Sequence, residues 1–172
     1  MASLSPDDKS TLVMVYTQNM LVRGEVVTKQ GVRVSTWLRT QGVPEFLRLF
    51  KPSVLHFGSG VVKPLTCKEI YVPVSTVIAF HLVPPTNEPI DYDENEANRI
   101  MVPISALPGP FHFKGYLRIS SKAELSTSIE LAHSAWSSIY NVDVSSPSMP
   151  QMQPIHLNMV LISPRQVSLA VE

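Results

Sequence analysis

The feature that most constrains this chain is that it nearly repeats itself. MLVRGEV (20–26) answers to FHFKGYL (111–117), and the same offset of 91 runs on without a gap to VSTWLR (34–39) against LSTSIE (125–130). Gly24/Gly115, Ser35/Ser126 and Thr36/Thr127 are identical, and Val22/Phe113, Arg23/Lys114, Val26/Leu117, Val34/Leu125 and Leu38/Ile129 keep their character. After a one-residue shift, Phe46, Leu49, Phe50 and Val54 answer to Trp136, Ile139, Tyr140 and Val144. Each half then closes on a β-rich run, residues 71–82 and 161–171. Such a pattern predicts a tandem duplication, in which both halves build the same supersecondary unit.

The local periodicity predicts what that unit is. Met20, Val22, Gly24 and Val26 fall at every second position, as do Phe111, Phe113, Gly115, Leu117 and Ile119. Period two is that of a half-buried strand. The opposite faces carry Arg23, Glu25 and Lys29 in one half and His112, Lys114, Tyr116 and Arg118 in the other. A glycine at the same inward position twice predicts a bulge or a close backbone approach. Ser35 and Ser126 follow as candidate N-caps of short helices, the second carried on by Leu125, Ile129, Ala132 and Trp136, the first cut short by Pro44. Residues 46–50, 53–57, 68–74, 76–83, 99–104 and 156–162 are rich in β-branched and aromatic side chains and read as strands. Pro73, Pro103 and Pro164 lack an N–H and mark strand ends, bulges or edges. The expected fold is mainly β with one or two short helices: two tandem β-rich repeats forming a pseudo-twofold, antiparallel sheet or barrel-like domain.

At 172 residues the chain suits one ordinary domain or two small ones. The division expected is a flexible N-terminus (1–11), a first repeat (12–83), an acidic Pro-containing linker (84–99) and a second repeat (100–172). Net charge is zero overall, but residues 1–85 carry +4, residues 86–99 carry −4 and residues 100–172 carry none. That balance argues against a bulk polyanion binder. The single cysteine, Cys67, forms no internal disulfide and fits a reducing compartment. MASLSPDDKS lacks the basic start and apolar core of a signal peptide, and Ile70 to Val83 is too short and too interrupted for a span, so a cytoplasmic protein without a membrane span is expected.

The residues VYT (15–17), VRGEV (22–26), GVRVSTWL (31–38), FLRL (46–49) and VSTVIAF (74–80) carry a further signal. Their run resembles an uncharacterised family of small bacterial β-rich domains with a G-x-R-[LV]-S-[DT]-x-L signature. The match covers residues 13–82 well and the second half in outline, departing from it at Lys122 and Glu124. The resemblance implies a small β-sheet module and brings no activity or catalytic residue with it.

No recognisable chemistry stands out. His56, His81, His112, His133 and His156 are scattered singly, without ligand spacing. His81 and Cys67 are a conceivable base and nucleophile with no third group to orient them. Asp91, Asp93, Glu94 and Glu96 are more simply a solvated loop than a cation site, and His56-Phe57-Gly58-Ser59-Gly60 is a hairpin connection. No cofactor is expected and the chain is not expected to be an enzyme, a small-molecule or metal-dependent enzyme being the remote alternative. A nucleic-acid-binding β-barrel module is the nearer alternative, given the mild basic bias of Arg23, Lys29, Arg33, Arg39, Arg48 and Lys51. The leading expectation is a protein-binding or self-associating assembly module. Candidate contact residues are Arg23, Lys114, Tyr116 and Arg118, with Met149 and Met152 on the proline-rich loop 144–159, where the methionines could as easily cap the core. The charge reversals Arg33/Glu124 and Arg39/Glu130 are candidate contacts between the repeats.

Overall fold

The computed structural model describes residues 5–40, 43–58, 61–130 and 135–171. The chain divides into two units, Met1–Glu88 and Pro89–Glu172. The first holds β1 (Asp8–Tyr16), β2 (Met20–Lys29), α1 (Val34–Arg39), β3 (Phe46–Gly58), β4 (Val61–Thr66), β5 (Glu69–Pro73), a 3₁₀ turn (Val74–Thr76) and β6 (Ala79–Leu82). The second holds β7 (Arg99–Leu107), β8 (His112–Ser120), α2 (Leu125–Glu130), β9 (Ser137–Ser145), β10 (Ile155–Ile162) and β11 (Ser168–Val171). The protein is therefore mainly β, and its described ladders are antiparallel. Among the described residues no helix is long and apolar enough to cross a membrane.

Within the first unit the strands lie in the order β6-β1-β2-β3, with β4 and β5 both on the far side of β3. Within the second the order is β11-β7-β8-β9-β10. Alternation decides which side chains face inward. Val22, Gly24 and Val26 are buried on β2 while Arg23 is exposed, and Phe113 and Gly115 are buried on β8 while Lys114 and Tyr116 are exposed. The inward sets, Val13, Val15, Val22, Val26, Leu49 and Phe80 in one unit and Ile104, Phe113, Ile139, Val144 and Val160 in the other, are almost wholly excluded from solvent. Each contributes roughly 1.5–3 kcal/mol of transfer free energy.

Both glycines sit where expected, at bulges. The β2–β3 register slips between Arg23 and Glu25, and the β8–β9 register slips between Lys114 and Tyr116. Opposite each slip one residue takes a left-handed backbone, Lys51 (φ 47°) and Asn141 (φ 48°). The bulged strand crowds the glycine. A Cβ on Gly24 would lie 3.1 Å from Leu49 Cβ, and one on Gly115 would lie 2.9 Å from the Tyr140 carbonyl oxygen.

Several expectations need correction. Residues 46–50 and 53–57 are one strand, because the chain turns through Lys51 and Pro52 without leaving the sheet; its first half pairs with β5 and its second with β4. The strand β4 escaped notice because Pro64 interrupts it. Asp8 to Thr11 lie in β1, within the stretch read as a tail. Neither helix starts on its serine: α1 begins at Val34 and α2 at Leu125. The second helix is described only to Glu130, with Ala132 outside the described residues, and Trp136 is buried on the non-helical approach to β9.

Candidate interaction surface

The outward face of β3 and β5 is built by strict alternation. Leu47, Leu49 and Val72 point inward, which sends Phe46, Arg48 and Phe50 outward from β3 and Glu69, Tyr71 and Pro73 outward from β5. Pairing sets them in three rows: Phe46 beside Pro73, Arg48 beside Tyr71, Phe50 beside Glu69. Phe46 is 45% exposed and Tyr71 52%, among the largest apolar exposures on the described surface. The Arg48 guanidinium lies 4.5 Å over the Phe50 ring and 5.5 Å from that of Tyr71. Its Nε and Nη2 donate to one Glu69 oxygen at 2.8 and 2.6 Å, and Tyr71 Oη donates to the other at 3.3 Å. The hydrogen bond with Glu69 holds the Arg48 pKa above its ordinary value. The result is an aromatic patch around one cation held by Glu69, the side-chain chemistry typical of protein contact surfaces.

In the second unit Ser138 and Tyr140 of β9 hold a strap. Asp91 accepts hydrogen bonds from Ser138 Oγ and Tyr140 Oη, both at 2.7 Å. Tyr92 meets the Tyr140 ring edge-on with centroids 4.8 Å apart, and Arg118 lies 4.5 Å over the Tyr92 ring. Arg118 also donates to the Asp93 carbonyl and to Glu96, which takes a second bond from Arg99. Arg118 and then Arg99 hold the Glu96 carboxyl below its usual pKa. The acidic segment is thus docked through its side chains. Within the first unit, its last residue Glu88 accepts from the backbone N–H groups of Val34 and Ser35 and from the Ser35 hydroxyl, capping α1. The helix's own N-cap position, Arg33, makes no side-chain cap bond.

One polar pair lies deep in the first unit. His81 Nδ1 must donate to the Leu82 carbonyl at 2.7 Å, so Nε2 carries no proton and accepts from Tyr16 Oη at 2.9 Å. Burial pulls the His81 pKa down to about 4 and pushes that of Tyr16 up. Both ring nitrogens are thereby occupied, which removes His81 as a base for Cys67, a half-buried thiol between β4 and β5.

The residues singled out in the sequence are distributed as follows. Arg23, Lys114 and Tyr116 are exposed on the outward faces of β2 and β8. Arg118 is instead held by the strap, its side chain 12% exposed. Met149 is buried, anchored by a turn from Ser146, so it closes the core and is no contact residue; Met152 is half-buried. Arg33 and Arg39 are exposed at the two ends of α1, and Glu124 and Glu130 are exposed at the two ends of α2. His133, Ser59 and Gly60 fall outside the described residues. No group of three or more His, Cys, Asp or Glu side chains that could hold a metal ion occurs among the described residues.

Phe46, Arg48 and Tyr71 are what the sequence reading missed as a surface. The signal was there: FLRLF puts two aromatics on the face opposite Leu47 and Leu49, where a solvated strand carries polar groups. Comparison with known protein families, curated proteins and solved structures finds no match.

Proposed function

We propose that this chain is a non-enzymatic, cytoplasmic protein-binding module built from two copies of one duplicated β unit. The exposed aromatic face of β3 and β5, with Phe46 and Tyr71 around Arg48, carries the reading. Aromatic and arginine side chains that are rigid before binding lose little entropy on contact and dominate protein interfaces. Electrostatics favour a protein over a polyanion, since Lys51 and Lys29 are each engaged by a carboxylate at 3.0 Å or less and Arg48 keeps only Nη1 for a further acceptor. The duplication is supported by an element order that matches apart from β4 and the 3₁₀ turn, by helices in register at an offset of 91, and by a bulge opposite a glycine in both units.

Mass determination by light scattering at low and high salt, with and without a random single-stranded oligonucleotide, tests the choice of partner class. The expected mass is indifferent to the oligonucleotide at both salt concentrations. Mass gained at low salt and lost at high salt overturns the reading in favour of a nucleic-acid binder.

A further inference from the structure

The two units place the same face in opposite states. Taking Arg23 and Lys114 as equivalent through their matched bulges, the ladders equate Phe50 with Tyr140, Arg48 with Ser138 and, one strand further, Tyr71 with Leu161. On the second unit Ser138 and Tyr140 hold Asp91, and Tyr92 lies against Tyr140. On the first unit the equivalent Arg48 side chain is 44% exposed and Tyr71 is 52% exposed, whereas Leu161 is 1% exposed.

We infer that the β3–β5 face of the first unit is the seat for an extended peptide segment of a partner protein, in which a carboxylate directly precedes an aromatic side chain. This rests on the protein-binding reading and names the ligand chemistry. The strap shows what such a face holds. Its carboxylate needs donors and its aromatic ring needs a flat partner, and the first unit supplies both with different residues. Arg48 replaces the two hydroxyls of Ser138 and Tyr140 as the donor. Glu69 takes only its Nε and Nη2, leaving Nη1 to donate to an incoming carboxylate. Phe46, Phe50 and Tyr71 supply ring surface where the second unit offers Tyr140 to Tyr92. The residues that lead into β1 do not fill this seat: Pro6 and Asp7 give their carbonyls to Gln30, and Ser5 is bonded to Asp8.

The strap itself supplies the probe. A fluorescently labelled peptide with the sequence of residues 88–98, EPIDYDENEAN, is titrated with the full chain and followed by anisotropy. Saturable binding is expected, weakened at least about tenfold by Arg48→Ala with Tyr71→Ala in the protein, and likewise by Asp91→Asn with Tyr92→Ala in the peptide. Both protein positions are exposed, so circular dichroism should show an unchanged fold. Absence of saturable binding overturns the inference, and so does binding that survives the protein double variant, because the peptide would then be exchanging with the strap on the second unit. Failure of the peptide beside a mass indifferent to oligonucleotide removes this inference alone and leaves the protein-binding reading standing.

Discussion

Acidification should destabilise this protein through one histidine, beginning above the pH at which its carboxylates titrate. His81 is 2% exposed and neutral, with both ring nitrogens hydrogen-bonded. Its pKa falls from 6.5 to about 4 on folding, mainly by desolvation. A depressed base contributes stability that is fully present above pH 6.5 and is lost as the pH falls toward 4, because the unfolded chain then binds the proton that the folded one refuses. Integrating over that window gives a loss of about 3 kcal/mol, of which about 2 kcal/mol has gone by about pH 5. Urea unfolding at about pH 7.5 and about pH 5 measures it, with the double variant Tyr16→Phe, His81→Leu as the reference. Removing both partners orphans neither Oη nor Nε2 and takes one donor from the Leu82 carbonyl, so the double variant should lose no more than about 1–3 kcal/mol at the higher pH and should lack the histidine's share of the acid loss. Tyr16→Phe alone, which orphans Nε2, should cost about 1–3 kcal/mol. Equal pH dependence in wild type and double variant refutes the reasoning.

Three further outcomes follow from the contacts. Gly115→Ala should destabilise more than Gly24→Ala, since at Gly115 the new Cβ meets a backbone oxygen at 2.9 Å and at Gly24 a side-chain Cβ at 3.1 Å; thermal melts of the two variants rank them, the first losing about 1–3 kcal/mol. Glu88→Ala should cost about 0.5–2 kcal/mol by uncapping α1, with faster amide exchange at Val34 and Ser35; unchanged exchange there would count against the cap. Asp91→Asn with Tyr92→Ala should release the strap, exposing Tyr140 to solvent and raising its fluorescence quenching while the β8–β9 ladder keeps its amide protection.

What the sequence made legible is what depends on neighbours in the chain. Alternation along 20–26 and 111–117 assigned inward and outward faces, and the paired glycines marked the bulges, because strand periodicity and backbone crowding are local properties. Contacts between distant residues left no such trace. Glu88 caps a helix 53 residues upstream, and Asp91 bonds to Tyr140 across 49 residues, so an acidic run that reads as solvated linker is in fact docked. Met149, among prolines, read equally as a surface contact or a core cap, and a single turn from Ser146 returns it to the core. Lys51-Pro52 looked like a break because proline ends most strands, whereas here a left-handed Lys51 lets the strand bend and continue.

The central claim is the proposal that the two units are copies of one β unit and that the face open on the first is occupied on the second. Cysteine labelling tests it directly: with Cys67→Ser as background, Arg48→Cys and Ser138→Cys place a thiol at equivalent positions of the two units, and alkylation rates are compared. The account predicts fast labelling at position 48, labelling at least about tenfold slower at position 138, and acceleration at 138 alone when Asp91→Asn and Tyr92→Ala release the strap. Equal rates at the two positions, or a rate at 138 indifferent to the strap, would contradict it.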